Sequence, residues 1–185
     1  MRSLSLWFLI CATVSVVLMP GAGMLFASLT GSPHDFSGAG WSKGEVCLPC
    51  HVSHRGESSG LVWNHSLPDN TDFDVRPGAS LGKQSLMCLG CHDGQTALDS
   101  YGGDIGTEMM SGRAVVGRDL SNDHPVGVRY PDSDRRYEST SAVEQRLRLV
   151  DGRVECSSCH DPHRNDRGHF LRVESRQLCQ TCHRL

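Results

Sequence analysis

Beyond its first 29 residues the chain has little from which to build an apolar core. Hydrophobic side chains are 38% of its 185 residues and aromatics 6%, and much of the hydrophobic share stands in the N-terminal run. Lysine is scarce too: of 18 basic residues 16 are arginine, and the two lysines are Lys43 and Lys83. The formal charge of −3 leaves no basic stripe, which argues against a nucleic-acid partner. The length suits one domain of ordinary size. Its core must come from something besides side chains.

Residues 1 to 29 place Arg2 ahead of a long apolar run broken by Pro20 and two glycines, which is how an export signal is built. Cleavage after Ala27 is expected, giving a leader over 1–27 and a mature domain over 28–185. An uncleaved membrane anchor is the alternative. Either way the protein leaves the cytoplasm, for the cell surface or beyond, or alternatively for the periplasm. Cys11 lies inside the apolar run and is given no role.

What the chain does have is nine cysteines and ten histidines. Apart from Cys11 the cysteines form four C-x-x-C pairs: Cys47 and Cys50, Cys88 and Cys91, Cys156 and Cys159, Cys179 and Cys182. Each pair is followed at once by histidine, in CLPCH, CLGCH, CSSCH and CQTCH. Chance would give four such hits about once in 100,000 trials, and C-x-x-C-H is the sequence that attaches c-type haem. The two thiols form thioethers to one porphyrin, and the next residue meets the iron, so His51, His92, His160 and His183 are the proximal ligands. The last two pairs, 19 residues apart, also fit a four-cysteine zinc site, but zinc leaves the four histidines unexplained. Disulfides or redox pairs meet the same objection.

Four covalently bound haem c groups would also supply the missing core, at roughly 40 residues of chain per haem. The fold expected is a mostly irregular multihaem cytochrome c with a few short helices, a short β-hairpin and the haem stack at its centre.

Two octets, CLPCHVSH at 47–54 and CSSCHDPH at 156–163, add a second histidine three positions after the first. Residues at that spacing share a face, with Cβ atoms about 5–6 Å apart. His54 and His163 therefore cannot reach round to the far side of the haem beside them, and are expected to ligate other haems. Six histidines are not proximal: His34, His54, His65, His124, His163 and His169. Four would make every iron bis-histidine and low-spin, leaving no open site and favouring electron transfer over catalysis. Met87, Met109 and Met110 compete poorly with so many imidazoles. His65 and His124 have Asn64 and Asp123 beside them to orient a ring. His169 reads as a surface residue, and His34 lies on a Gly/Ser-rich N-terminal arm.

The set HDFSGAGW (34–41), CLPCHVSH, WNH (63–65), CLGCHDGQTALD (88–99), DLSNDHPVGV (119–128), VECSSCHDPH and LCQTCH resembles the tetrahaem c-type cytochromes with doubled CxxCH motifs that polymerise into extracellular filaments. The resemblance implies stacked bis-histidine haems, and a homopolymer in which an arm histidine, here His34, completes a haem of the neighbouring subunit. It also implies redox partner proteins and external electron acceptors. The five candidates His34, His54, His65, His124 and His163 exceed the four places by one. The VSH of the first octet stands where TPH is common, without disturbing a ligand.

Arginine pairs with carboxylates through two parallel hydrogen bonds, so some of the 16 are expected to neutralise haem propionates. Residues 100–145 read as a long polar loop carrying one ligand-bearing turn at His124. RLRLVDGRVEC alternates around Asp151-Gly152, a hairpin signal leading into the third motif. LGKQSLMCLGC reads as a short helix before the second, and Trp41 and Trp63 as haem-packing rings. Two rival functions share the same motifs: a discrete periplasmic or membrane-anchored electron shuttle, and a multihaem reductase with one open iron.

Overall fold

A computed structural model describes residues 29–52 and 63–185. The expected leader over 1–27, or anchor, lies outside the described residues, as does His54. Among the described residues no helix is long and apolar enough to cross a membrane.

Most of the chain is turn and loop. The helices are α1 (Lys83–His92), α2 (Thr140–Val143), α3 (Cys156–Cys159) and α4 (Ser175–Cys182). Single 3-10 turns stand at Gly40–Ser42, Asn70–Asp72 and Gly112–Ala114. Two short strands, β1 (Val128–Arg129) and β2 (Arg153–Val154), pair antiparallel, Val128 with Val154 and Arg129 with Arg153. This is the irregular, sparsely helical architecture expected from the sequence.

The helix signal is obeyed; of the expected hairpin the Asp151-Gly152 turn and one bridge, Val150 with Arg153, form, while β2 takes β1 as its strand partner in place of 145–150. Asp151 and Gly152 have φ of 51° and 70°, the geometry of a tight I′ turn, and Val150 and Arg153 exchange two backbone hydrogen bonds at 2.9 Å. The turn sends the chain through β2 directly into α3. The 100–145 segment differs in part from a plain loop, since it also holds β1 and α2. Ser139 caps α2 by accepting from Ala142 N at 3.3 Å.

Side chains form two small clusters. Tyr130, Val143, Leu147, Leu149 and Val173 meet beneath α4, while Phe73, Leu81, Leu89 and Leu120 meet beneath α1. Neither is large. Each lies under an attachment helix, so the limited apolar surface is spent on fixing the motifs. Leu120, in the second cluster, is held down where Asp74 N donates to Arg118 O and Leu120 N to Asp74 O. Leu120→Ala is expected to lower stability by about 2–5 kcal/mol, with haem content unchanged. Denaturation midpoints and a haemochrome assay check both halves.

Candidate metal centres

The four C-x-x-C-H segments are built alike. A single helical turn puts the two cysteines, three apart, on one face, and the backbone N–H of the following histidine closes it. That N–H donates to the first cysteine's carbonyl at 2.8 Å in His51, 3.1 Å in His160 and 2.8 Å in His183. After the turn the chain straightens: His160 and His183 have φ of −109° and −101°. The imidazole thus leaves the helix just past the thiols. In α1 the turn continues to His92 itself. Gly90 in this motif is required by packing, because a Cβ there would meet Ser66 O at 2.6 Å.

Three of the proximal histidines are pinned by isolated antiparallel bridges, His51 to Trp63, His160 to Leu171 and Tyr137 to His183. Ring nitrogens are held as well. His92 Nδ1 lies 2.7 Å from Ala114 O, and His160 Nδ1 2.8 Å from His169 O. An Nδ1–H donated to a carbonyl fixes the tautomer and leaves Nε2 as the basic nitrogen.

The histidines then pair. His51 and His163 have ring centroids 5.8 Å apart and nearly parallel at 17°. His34 and His92 are 6.1 Å apart, and His124 and His183 6.4 Å. Two imidazoles on opposite sides of one metal, each bonded at about 2.0–2.1 Å, have centroids roughly 6 Å apart. Every pair combines a proximal histidine with one of the distal candidates. Among the described residues no group of three or more His, Cys, Asp or Glu side chains could hold a bare ion. Pairs suit a metal whose four other ligands come from a macrocycle. The buried Trp63 Nε1, without a hydrogen-bond partner and on a ring set edge-on to His51 at 6.1 Å, marks a place where a further acceptor fits. Burial pushes the Cys50 thiol up to about 11, Cys91 to about 12 and Cys159 to about 11. Paired imidazoles, each pair next to a C-x-x-C turn, fit haem.

His34 is placed within its own chain. Its ring stacks on Phe170 at 4.2 Å and 21°, and burial, helped by the neighbouring His92, lowers its pKa to about 4. It is therefore the neutral base that binds metal. Phe170 reaches it from a strained turn in which His169 and Phe170 both have positive φ, 50° and 56°. Asn165 Oδ1 accepts from Phe170 N at 3.0 Å, and Asp161 N donates to Phe170 O at 2.7 Å. One turn thus serves two candidate sites, since the carbonyl of His169 orients His160. The exposed His169 contributes its backbone, which residue types alone could not reveal.

His65 stands apart. It is buried, with Nδ1 3.1 Å from Ser66 O and Nε2 3.3 Å from Leu98 O and 3.5 Å from Cys91 Sγ, and it pairs with no described imidazole. Asn64, expected to orient it, donates instead to Leu48 O at 2.7 Å and so ties this segment to the first motif. Trp41 packs on Phe36 and Tyr101, whose hydroxyl donates to Trp41 O at 2.6 Å. Arg172 donates to Ser157 O and pairs with Asp161 at 3.1 Å, bracing the third motif.

The second and third attachment sites adjoin. Cys156 N donates to Ser85 Oγ of α1 at 3.1 Å; the neighbouring Cys156, then burial, pushes the Cys88 thiol up, whereas Cys88 draws Cys156 down to about 7.

Residues 149–184, which hold the third and fourth motifs, match the family model described as the doubled CXXCH motif. The match supports a multihaem c-type cytochrome. The C-x-x-C-H motifs indicate covalently bound haem c, a group that suits electron transfer. The comparison with curated proteins gave no match.

His163→Ala is expected to turn one iron from low-spin to high-spin in the haem-loaded protein, whereas His65→Ala leaves every iron low-spin. Electron paramagnetic resonance and the charge-transfer absorption bands read both. A high-spin iron in the second variant would make His65 a ligand after all.

Proposed function

We propose that the chain is an exported tetrahaem cytochrome that passes electrons along four closely packed bis-histidine haems, as the subunit of an extracellular filament. The observation that carries this reading is the pairing of His51 with His163, His34 with His92 and His124 with His183. A bound haem c supplies a one-electron iron couple, and histidine on both faces sets its potential below that of Met/His ligation. Paired imidazoles would hold the iron of such a group from both sides and would leave no open place for a substrate. His54 is the candidate we assign to His160, and His65, which pairs with no described imidazole, is the one left over from the five. Donors are then redox proteins of the envelope, and acceptors lie outside.

The filament rests on the arm around His34. The contact of His34 with His92 is made here inside one chain. The same contact made by a neighbour's arm links copies through exchange of an identical element, and a head-to-tail exchange that does not close grows as a filament. The in-chain contact equally favours the second reading, a discrete shuttle in the periplasm or at the membrane.

Haem-loaded protein collected from outside its host cells is expected to give four haems per chain by pyridine haemochrome and thin ordered filaments by electron microscopy. Compact particles of one or two chains would replace the filament with the shuttle. A count of two haems would end the tetrahaem assignment, and a high-spin iron that binds carbon monoxide in the unaltered protein would favour a reductase.

A further inference from the structure

We propose that the buried carboxylate of Glu155 is a positioning residue that locks the second attachment segment to the third and so fixes how the two haems they carry are oriented to each other. This rests on the haem-carrying function above and adds to it a residue that carries neither thioether nor iron.

Glu155 is 1% exposed, in a chain with few fully buried charges. A buried carboxylate is costly unless its oxygens are satisfied, and both are. Oε1 accepts from Gly82 N at 3.1 Å, and Oε2 accepts a short hydrogen bond from Ser85 Oγ. Ser85 Oγ in turn accepts from Cys156 N at 3.1 Å. On its own side Glu155 N donates to Ser158 Oγ at 2.9 Å, closing a capping box at the start of α3. Ser85 and Ser158 are themselves buried.

The arrangement spans 73 residues of sequence. Gly82 is the N-cap of α1, which has no side-chain cap and no acid in its first turn. Glu155 supplies both functions from a distant segment, placing negative charge where the helix N-terminus favours it. Gly82 is needed for this fit, because a Cβ would stand 2.9 Å from Glu155 Oε1. The consequence is geometric: the start of α1, the helix that carries Cys88, is held to the start of α3, which opens on Cys156. Those cysteines belong to different motifs, so the clamp acts on the spacing between two haems rather than on either alone. A fixed negative charge at that junction also favours the oxidised form of both irons.

Glu155→Ala, Glu155→Gln and Gly82→Ala in the haem-loaded protein test the clamp, the last pushing on the carboxylate while keeping its charge. Haem content by pyridine haemochrome is read first, then circular dichroism in the Soret band, whose bisignate couplet reports the relative orientation of adjacent haems, and last the stepwise redox titration. The expected result is a full complement of low-spin haem, with the couplet changed in all three variants. Two of the titration steps move upward together in Glu155→Ala and Glu155→Gln only. A loss of stability without a change of couplet or potential in any variant would overturn the proposal, since a purely structural residue would give that. Parent protein that holds no haem would overturn it together with the reading it rests on, and the haemochrome assay separates that failure from the other. Should Glu155→Ala fail to accumulate, the couplets of the two milder variants decide the same question.

Discussion

Two imidazoles on opposite sides of one metal have ring centroids roughly 6 Å apart, and the three imidazole pairs that stand near that distance here are drawn from remote stretches of sequence. His34 reaches His92 from the N-terminal arm, His163 reaches His51 across most of the chain, and His124 reaches His183 at the C-terminus. Each pair is in effect a cross-link. Among the described residues the two side-chain clusters hold only five and four buried residues, and these pairings add to them in bringing remote segments together. Binding a metal group at such pairs is coupled to folding in the same way as in small metal-stabilised domains.

The constraint explains where the ordinary interactions are spent. Bridges tie down the backbone at His51, His160 and His183, and carbonyls of Ala114 and His169 orient the rings of His92 and His160. The turn at His169 and Phe170 carries two residues of positive φ, a local cost offset by its service to two sites at once. Even Gly90, inside a motif, is fixed by the approach of Ser66 O. Strain and close approach thus collect around the histidines, where they fix the position of each ring relative to its neighbour.

Features set by neighbours in sequence were legible in it. The C-x-x-C-H repeats declare their chemistry because attachment needs two thiols and an imidazole within one turn, and the helix over Lys83–His92 and the Asp151-Gly152 turn follow from short patterns. What could not be read is which distal histidine meets which proximal one, since that depends on loops with no period. His65 shows the limit well. Its flanking Asn64 has the chemistry to orient a ring, yet that amide holds Leu48 O, and the carbonyls beside the ring are those of Ser66 and Leu98, a placement that residue types do not show. Glu155 was equally silent, because its partners Gly82 and Ser85 are adjacent only after folding.

Electron transfer asks for short, fixed separations between redox groups and for little motion when charge arrives. A fold made mainly of turns has little secondary structure to provide that, but rigidity here comes from elsewhere. Three of the four attachment segments are braced at a specific atom by another stretch of chain: α1 by Glu155, α3 by Arg172 at Ser157 O, and the turn at His51 by Asn64 through Leu48 O. Single hydrogen bonds of this kind contribute about 1 kcal/mol each in stability. Their value lies in direction, since each acts where a displacement would be passed straight to an imidazole or a thiol.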